Sequence, residues 1–217
     1  MNIEYCYFDI SSNDSELKDI IGSVLKFPVN CISVLPSYIK SIRGLTPDNI
    51  DIACPVDYPL GLLDIKSRLI TTEIAIKNGA KIIDAVCPSY LLCNRKYDKF
   101  REDIKSLIDL CSQHNVQLRY FLEYRIYSYE LLYKIAQILL DFGVSTVMPS
   151  TGYLLDDIND NVLASALINK KVPKINIIVN GNIWNQNQIS MLQKANLYGL
   201  RVNSTNALSL LSNNLSK

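Results

Sequence analysis

Histidine is almost missing from this sequence: His114 is the only one in 217 residues. The six cysteines, at positions 6, 31, 54, 87, 93 and 111, form no Cys-x-x-Cys pair. A zinc site needs clustered Cys, His or carboxylate ligands, so no metal is expected, and nothing calls for another cofactor. Neither charge sign is in excess, with 22 Lys+Arg against 21 Asp+Glu, which leaves no electrostatic footprint for nucleic acid or an anionic membrane. Long apolar runs are missing too, and nothing approaches the roughly 18 residues of a membrane span. The opening Met1-Asn2-Ile3-Glu4-Tyr5 has neither the basic nor the apolar region of a secretory leader. Reduced thiols in a cytoplasmic protein are therefore expected.

What the chain does have is a globular composition, 48% apolar and 20% charged, and enough length to hide about 70% of its unfolded surface. Disordered, collagen-like and coiled-coil chains are excluded on those figures. Eight short apolar runs read as strands, at residues 4–9, 29–34, 50–54, 81–86, 116–123, 145–148, 174–179 and 198–203. Segments of helical period fall between and after them, at 14–26, 38–44, 62–78, 96–115, 127–142, 156–169, 186–196 and 204–216. Ser12-Asn13-Asp14-Ser15-Glu16 is a helix start with acids in its first turn. Asn78-Gly79 and Phe142-Gly143 are helix ends that run straight into strands. Strands alternating with helices imply βαβ units and a parallel sheet, and eight units imply a closed (β/α)8 TIM barrel. No linker or charge block divides the chain, so residues 1–217 are expected to form one compact domain.

In such a barrel the functional face lies at the C-terminal ends of the strands. Strand alternation then sorts the polar residues. Asp84 shares a face with Ile82 and Val86. Arg119 and Glu123 share a face with Gln117 and Phe121, while Val116, Leu118, Tyr120 and Leu122 form the apolar face that suits helix packing. Asp84, Arg119 and Glu123 are thus expected in the lumen, and Asp9, ending the first strand, is a candidate to join them. Two readings compete. In one, Arg119 neutralises both acids as an internal ion network, since unpaired buried charge costs several kcal/mol. In the other, the carboxylates form an acid–base pair and Arg119 anchors an anion or a carbonyl.

Ordered local patterns along nearly the whole chain resemble the deoxyribose-phosphate aldolase family. Ile32-Ser33-Val34-Leu35-Pro36-Ser37-Tyr38-Ile39 resembles its second strand and turn. Asp57-Tyr58-Pro59-Leu60-Gly61 resembles its Asn-Phe-Pro-x-Gly loop, and Asn78-Gly79-Ala80-Lys81-Ile82-Ile83-Asp84 its entry to the fourth strand. Leu122-Glu123 resembles the Ile-Glu end of the fifth strand, and Pro149-Ser150-Thr151-Gly152 the Thr-Ser-Thr-Gly turn after the sixth. The resemblance implies a class I, Schiff-base aldolase barrel. It also implies a loss. The family's imine-forming lysine stands immediately before that turn, where this chain has Met148, and a thioether cannot condense with a carbonyl. A second family lysine, which lowers the pKa of the first, corresponds to Ile178. The family's C-terminal tail ending in tyrosine has no counterpart in Asn213-Asn214-Leu215-Ser216-Lys217. Asp84 matches the family's proton-relay aspartate. The phosphate-site positions are mixed: Gly152 and Gly181 are kept, Asn182 replaces a glycine, and Asn203-Ser204-Thr205-Asn206 replaces Gly-x-Ser-Ser. Ser204 and Thr205 remain candidate donors at a helix N-terminus.

Other residues carry weaker signals. Lys66, Lys77 and Lys96 fall in helices, and Lys81, Lys170, Lys171 and Lys174 at the opposite face, so a relocated imine lysine is not expected. Cys54 and Cys87 read as buried structural thiols without a histidine partner, and His114 as a helix C-terminal residue. Tyr58, Tyr90, Tyr124 and Tyr153 are placed at the barrel mouth, with Trp184 beside them and Ser150, Asn180 and Asn182 as polar contacts. Three functions follow: a diverged lyase, isomerase or cyclase using Asp84, Glu123 and Arg119; a catalytically dead pseudo-aldolase that binds or scaffolds; or an active aldolase with a relocated lysine. The expected partners are a small molecule, phosphorylated or not, with a homodimer left open.

Overall fold

A computed structural model describes residues 1–154, 157–195 and 197–215. Eight parallel strands close in sequence order: β1 (Asn2–Tyr7), β2 (Cys31–Val34), β3 (Asp51–Val56), β4 (Ile82–Val86), β5 (Gln117–Phe121), β6 (Thr146–Met148), β7 (Asn176–Asn180) and β8 (Gly199–Val202). Around them run α1 (Asp14–Val24), α2 (Ile39–Leu45), α3 (Ile65–Lys77), α4 (Ser89–Cys93), α5 (Tyr97–Gln113), α6 (Tyr129–Asp141), α7 (Ile158–Lys171), α8 (Gln186–Lys194) and α9 (Thr205–Leu215). The molecule is a compact (β/α)8 barrel. The expected helix limits at Asp156, Asn196 and Ser216 lie outside the described residues.

Local chemistry sets the boundaries. Asn13 accepts the N–H groups of Ser15 and Glu16, while Glu16 accepts the N–H of Asn13, so α1 starts with a reciprocal capping box. Gly79, at φ 109°, follows the Asn78 cap of α3, and Gly143, at φ 90°, follows the Phe142 cap of α6. Two features differ from the sequence reading. β1 ends at Tyr7 rather than residue 9, because Asp9 turns the chain by accepting from the Ser11 N–H and the Ser11 and Ser12 hydroxyls. The short helix α4 was not anticipated, five residues being too few to show a helical period.

The third loop is tied down hardest. Arg68 on α3 is fully buried. Its Nη1 donates to Asp57 Oδ2 and to the Val86 carbonyl, both at 2.8 Å, and its Nε lies 3.2 Å from Asp103 Oδ1. Asp57 also accepts the N–H groups of Leu62 and Leu63. Gly61 closes the loop at φ 65°, where an added Cβ would lie 2.2 Å from the Cys87 carbonyl oxygen, so only glycine fits. Arg68→Ala leaves two buried carboxylates without their cation and is expected to cost about 3–5 kcal/mol. Urea denaturation followed by circular dichroism measures it, and a loss below about 1 kcal/mol would show that the pairs carry no net stability.

Candidate functional site

The barrel interior is layered. Cys31, Ala53 and Ile82 form an apolar layer toward the N-terminal face. Above it sit four charges, Glu4 on β1, Asp84 on β4, Arg119 on β5 and Arg201 on β8, each at most 3% exposed. Register makes Glu4 the neighbour of Arg201, and Asp84 the neighbour of Arg119. Two of the ion pairs join these neighbours and two, Arg119 to Glu4 and Arg201 to Asp84, cross the lumen. Arg119 donates from Nε to Asp84 Oδ1 and from Nη1 to Glu4 Oε1, both at 2.7 Å. Arg201 Nη2 donates to Glu4 Oε2 at 2.6 Å and to Asp84 Oδ2 at 2.7 Å. Burial works to raise both carboxyls, but the two guanidiniums outweigh it and hold Glu4 and Asp84 below the usual carboxylate range. Two anions and two cations leave the quartet neutral.

Toward the C-terminal face comes a second apolar layer, of Val86, Phe121, Met148 and Ile178, with Tyr58 packed against it. Met148 and Ile178 are fully buried. Above this layer opens a cavity of about 250 Å³. Phe121, Tyr58 and Arg201 form part of its lining, with Cys6 and Phe8 on the β1 side and Asn180, Gly181, Asn182 and Trp184 on the β7 side. Thr151 and Gly152 line it after β6, and Asp157 stands at the start of α7. No lysine among the described residues lines it. Burial pushes the Tyr58 phenol up to about 12 and the Cys6 thiol up to about 11, so both are protonated at neutral pH. Tyr58 is held by its Phe8 neighbour, ring centres 5.0 Å apart, and its hydroxyl donates to the Thr151 carbonyl at 3.3 Å.

The structure redistributes the residues read from sequence. Asp84 and Arg119 do meet in the lumen, but they bind each other, Glu4 and Arg201, and neither lines the cavity. Glu123 does not join them. The strand ends at Phe121 and Glu123 adopts φ 61°, so alternation no longer governs its direction. Its Oε2 instead accepts from the Thr151 N–H at 3.1 Å and from the Thr151 hydroxyl, while Oε1 is buried without a partner. Asp9 is exposed and local to its turn. It shares parity with Tyr5 and Tyr7, which pack into the outer core, whereas Glu4, Cys6 and Phe8 point the other way. Tyr124 is buried in the outer core under the Arg125 guanidinium and does not line the cavity. Tyr90 and Tyr153 are exposed, so of the four tyrosines only Tyr58 faces the cavity. Ser150 is buried, its Oγ accepting the Gly152 N–H and its carbonyl the Asn180 amide. Ser204 and Thr205 line a separate depression between β1 and α9, and Ser204 Oγ caps the Ala207 N–H. Arg201 and Glu4 were missed, although the parity argument applied to β5 would have found both.

All six thiols are free, and Cys54, pushed up to about 12, and Cys87 are buried. His114 caps the C-terminus of α5. Among the described residues no three His, Cys, Asp or Glu side chains gather as metal ligands would. No helix of those residues is long and apolar enough to cross a membrane.

A closed eight-stranded barrel with a cavity at the strand C-termini places the candidate site where (β/α)8 barrels carry theirs. No family model matches the chain. It is 32% identical over 123 residues to the deoxyribose-phosphate aldolase of Bdellovibrio bacteriovorus, a stretch covering 56% of this chain and 55% of that protein. It is 23% identical over 212 residues to the deoxyribose-phosphate aldolase of Mycoplasmopsis pulmonis, covering 97% and 94% of the two chains. The structure of the deoxyribose-phosphate aldolase of Aeropyrum pernix, a tetramer, superposes with a TM-score of 0.84 over 99% of this chain and 90% of that one; at 15% identity this likeness speaks to the fold. The chain is thus similar to deoxyribose-phosphate aldolases, over about half its length at 32% identity and over nearly all of it at 23%.

Proposed function

We propose that this barrel binds a small molecule at the family's pocket without forming an imine. The observation that carries the reading is the layer beneath the cavity, where Met148 and Ile178 pack with Val86 and Phe121 and no lysine among the described residues reaches the lining. An imine needs an unprotonated amine within reach of the carbonyl, and the one cation on the cavity lining among the described residues is Arg201, whose guanidinium stays protonated. Acid–base chemistry by Asp84, Arg119 and Glu123 has less support. Asp84 is bound by two guanidiniums below the apolar layer, and Glu123 is committed to the Thr151 turn. Tyr58 and Cys6, both protonated, offer no base, and the Asp157 carboxylate on the lining is engaged in capping α7 through the Asn159 N–H. The pseudo-aldolase reading is therefore preferred over the diverged lyase or isomerase.

A borohydride trap tests it. Protein incubated with acetaldehyde, and separately with 2-deoxyribose 5-phosphate, is reduced and weighed intact. The expected result is unmodified mass. An adduct on one lysine, competed away by excess substrate, would restore the imine mechanism and overturn the proposal.

A further inference from the structure

We infer that the cavity selects an uncharged, hydroxylated carbonyl compound, in chemical class a free sugar rather than a sugar phosphate, with Arg201 as its anchor. The inference rests on the non-covalent reading above.

Arg201 is the starting point. Its Nε and Nη2 are spent on Glu4 and Asp84, yet Nη1 is buried and has no partner. The residue is 2% exposed and lines the cavity. A buried donor without a partner costs free energy that an acceptor oxygen from a ligand would recover. On the β7 side, Asn180 Oδ1 and Asn182 Oδ1 are likewise buried and unpartnered, and both residues line the same cavity. One unsatisfied donor and two unsatisfied acceptors call for a ligand with an acceptor oxygen at one end and hydroxyls nearby. Phe8, Tyr58, Phe121 and Trp184 supply apolar faces for its carbon skeleton. At 30 Å³ per water, about 250 Å³ holds on the order of eight water-sized groups, which suits a molecule of a few carbons.

Charge decides against an anion. The guanidinium of Arg201 already faces two carboxylates in a neutral quartet, so an anion on Nη1 would be a third negative group around it. Asp157 adds another carboxylate to the lining. Four backbone donors on the turns after β6 and β7 are taken. Thr151 N–H goes to Glu123, Gly152 N–H to Ser150 Oγ, Tyr153 N–H to Thr151 Oγ1, and Gly181 N–H to the Arg201 carbonyl. At α9 the Ala207 N–H goes to Ser204 Oγ. A phosphate needs such N–H groups free and convergent.

Saturation-transfer NMR and calorimetry on the full chain would compare glycolaldehyde, glyceraldehyde and 2-deoxyribose with 2-deoxyribose 5-phosphate and inorganic phosphate. At least one uncharged compound is expected to bind, and more tightly than the phosphate ester. Arg201→Lys, which keeps a cation beside Glu4 and Asp84 but removes Nη1, is expected to abolish that binding. Should that variant fail to fold, Asn182→Leu removes the Asn182 amide and with it one of the two β7-side acceptors, and about a tenfold loss of affinity is expected. Preference for the ester, competition by inorganic phosphate, no binding by any uncharged compound, or unchanged affinity in Asn182→Leu would each overturn the inference. A lysine adduct in the borohydride trap with sugar preference retained would defeat the non-covalent reading alone.

Discussion

Asp84→Asn is expected to destabilise the barrel by about 3–5 kcal/mol, because it leaves two buried guanidiniums facing the single carboxylate of Glu4. Denaturant unfolding measures the loss. The same network makes a pH prediction. The Glu4 and Asp84 carboxyls lie below their ordinary values in the folded chain, so the unfolded chain binds protons first as pH falls. Their contribution is complete above the usual carboxylate pKa of about 4 and is lost as pH drops through the lower folded values. Stability should therefore decline on acidification, and Asp84→Asn should flatten that decline. An acid slope unchanged by the substitution would mean that other carboxylates govern acid unfolding. Replacing all four charges with apolar residues of matched volume should be far milder than removing one, since desolvation of ions offsets much of their attraction.

Met148→Lys is the second large effect. The side chain is fully buried in the layer with Val86, Phe121 and Ile178, and an ammonium there has lost its water. Burial lowers a lysine pKa by several units, and about 3 units correspond to about 4 kcal/mol at neutral pH. The sign is opposite to that of the carboxylates. The folded variant favours the neutral amine, so its deficit should shrink as pH rises toward the ordinary lysine value of about 10. Melting temperatures of variant and parent between pH 6 and pH 10 would show the gap closing. A gap independent of pH would mean that the new ammonium reaches water and that the layer is not closed. A folded Met148→Lys that traps acetaldehyde under borohydride would further show that the cavity can still host imine chemistry once an amine is supplied.

Periodicity and punctuation alone disclose the barrel. The eight runs match the eight strands in order, and the Asn13 cap and the Gly79 and Gly143 turns stand where local chemistry puts them. Parity correctly sends Asp84 and Arg119 inward, because inside a strand each residue's side is set by its neighbours. The same rule fails for Asp9 and Glu123, which lie beyond the strand ends, where a hydrogen-bonded turn at one and a positive φ at the other reset the direction. The tyrosines fail for a related reason: loop backbone has no period, so Tyr124 turning into the core and Tyr153 toward solvent leave no trace in spacing.

The sequence by itself determined the fold class, the succession of strands and helices, and the inward direction of Asp84 and Arg119. Only the tertiary structure decided which cation lines the cavity. Arg201 lies 82 positions from Arg119 in the chain, and its partners Glu4 and Asp84 come from the opposite end and the middle. Closing the barrel brings β8 beside β1 and turns all four side chains onto one lumen. Whether each nitrogen then finds a carboxylate or is left facing the cavity depends on strand stagger around the barrel, a long-range quantity that no local pattern encodes.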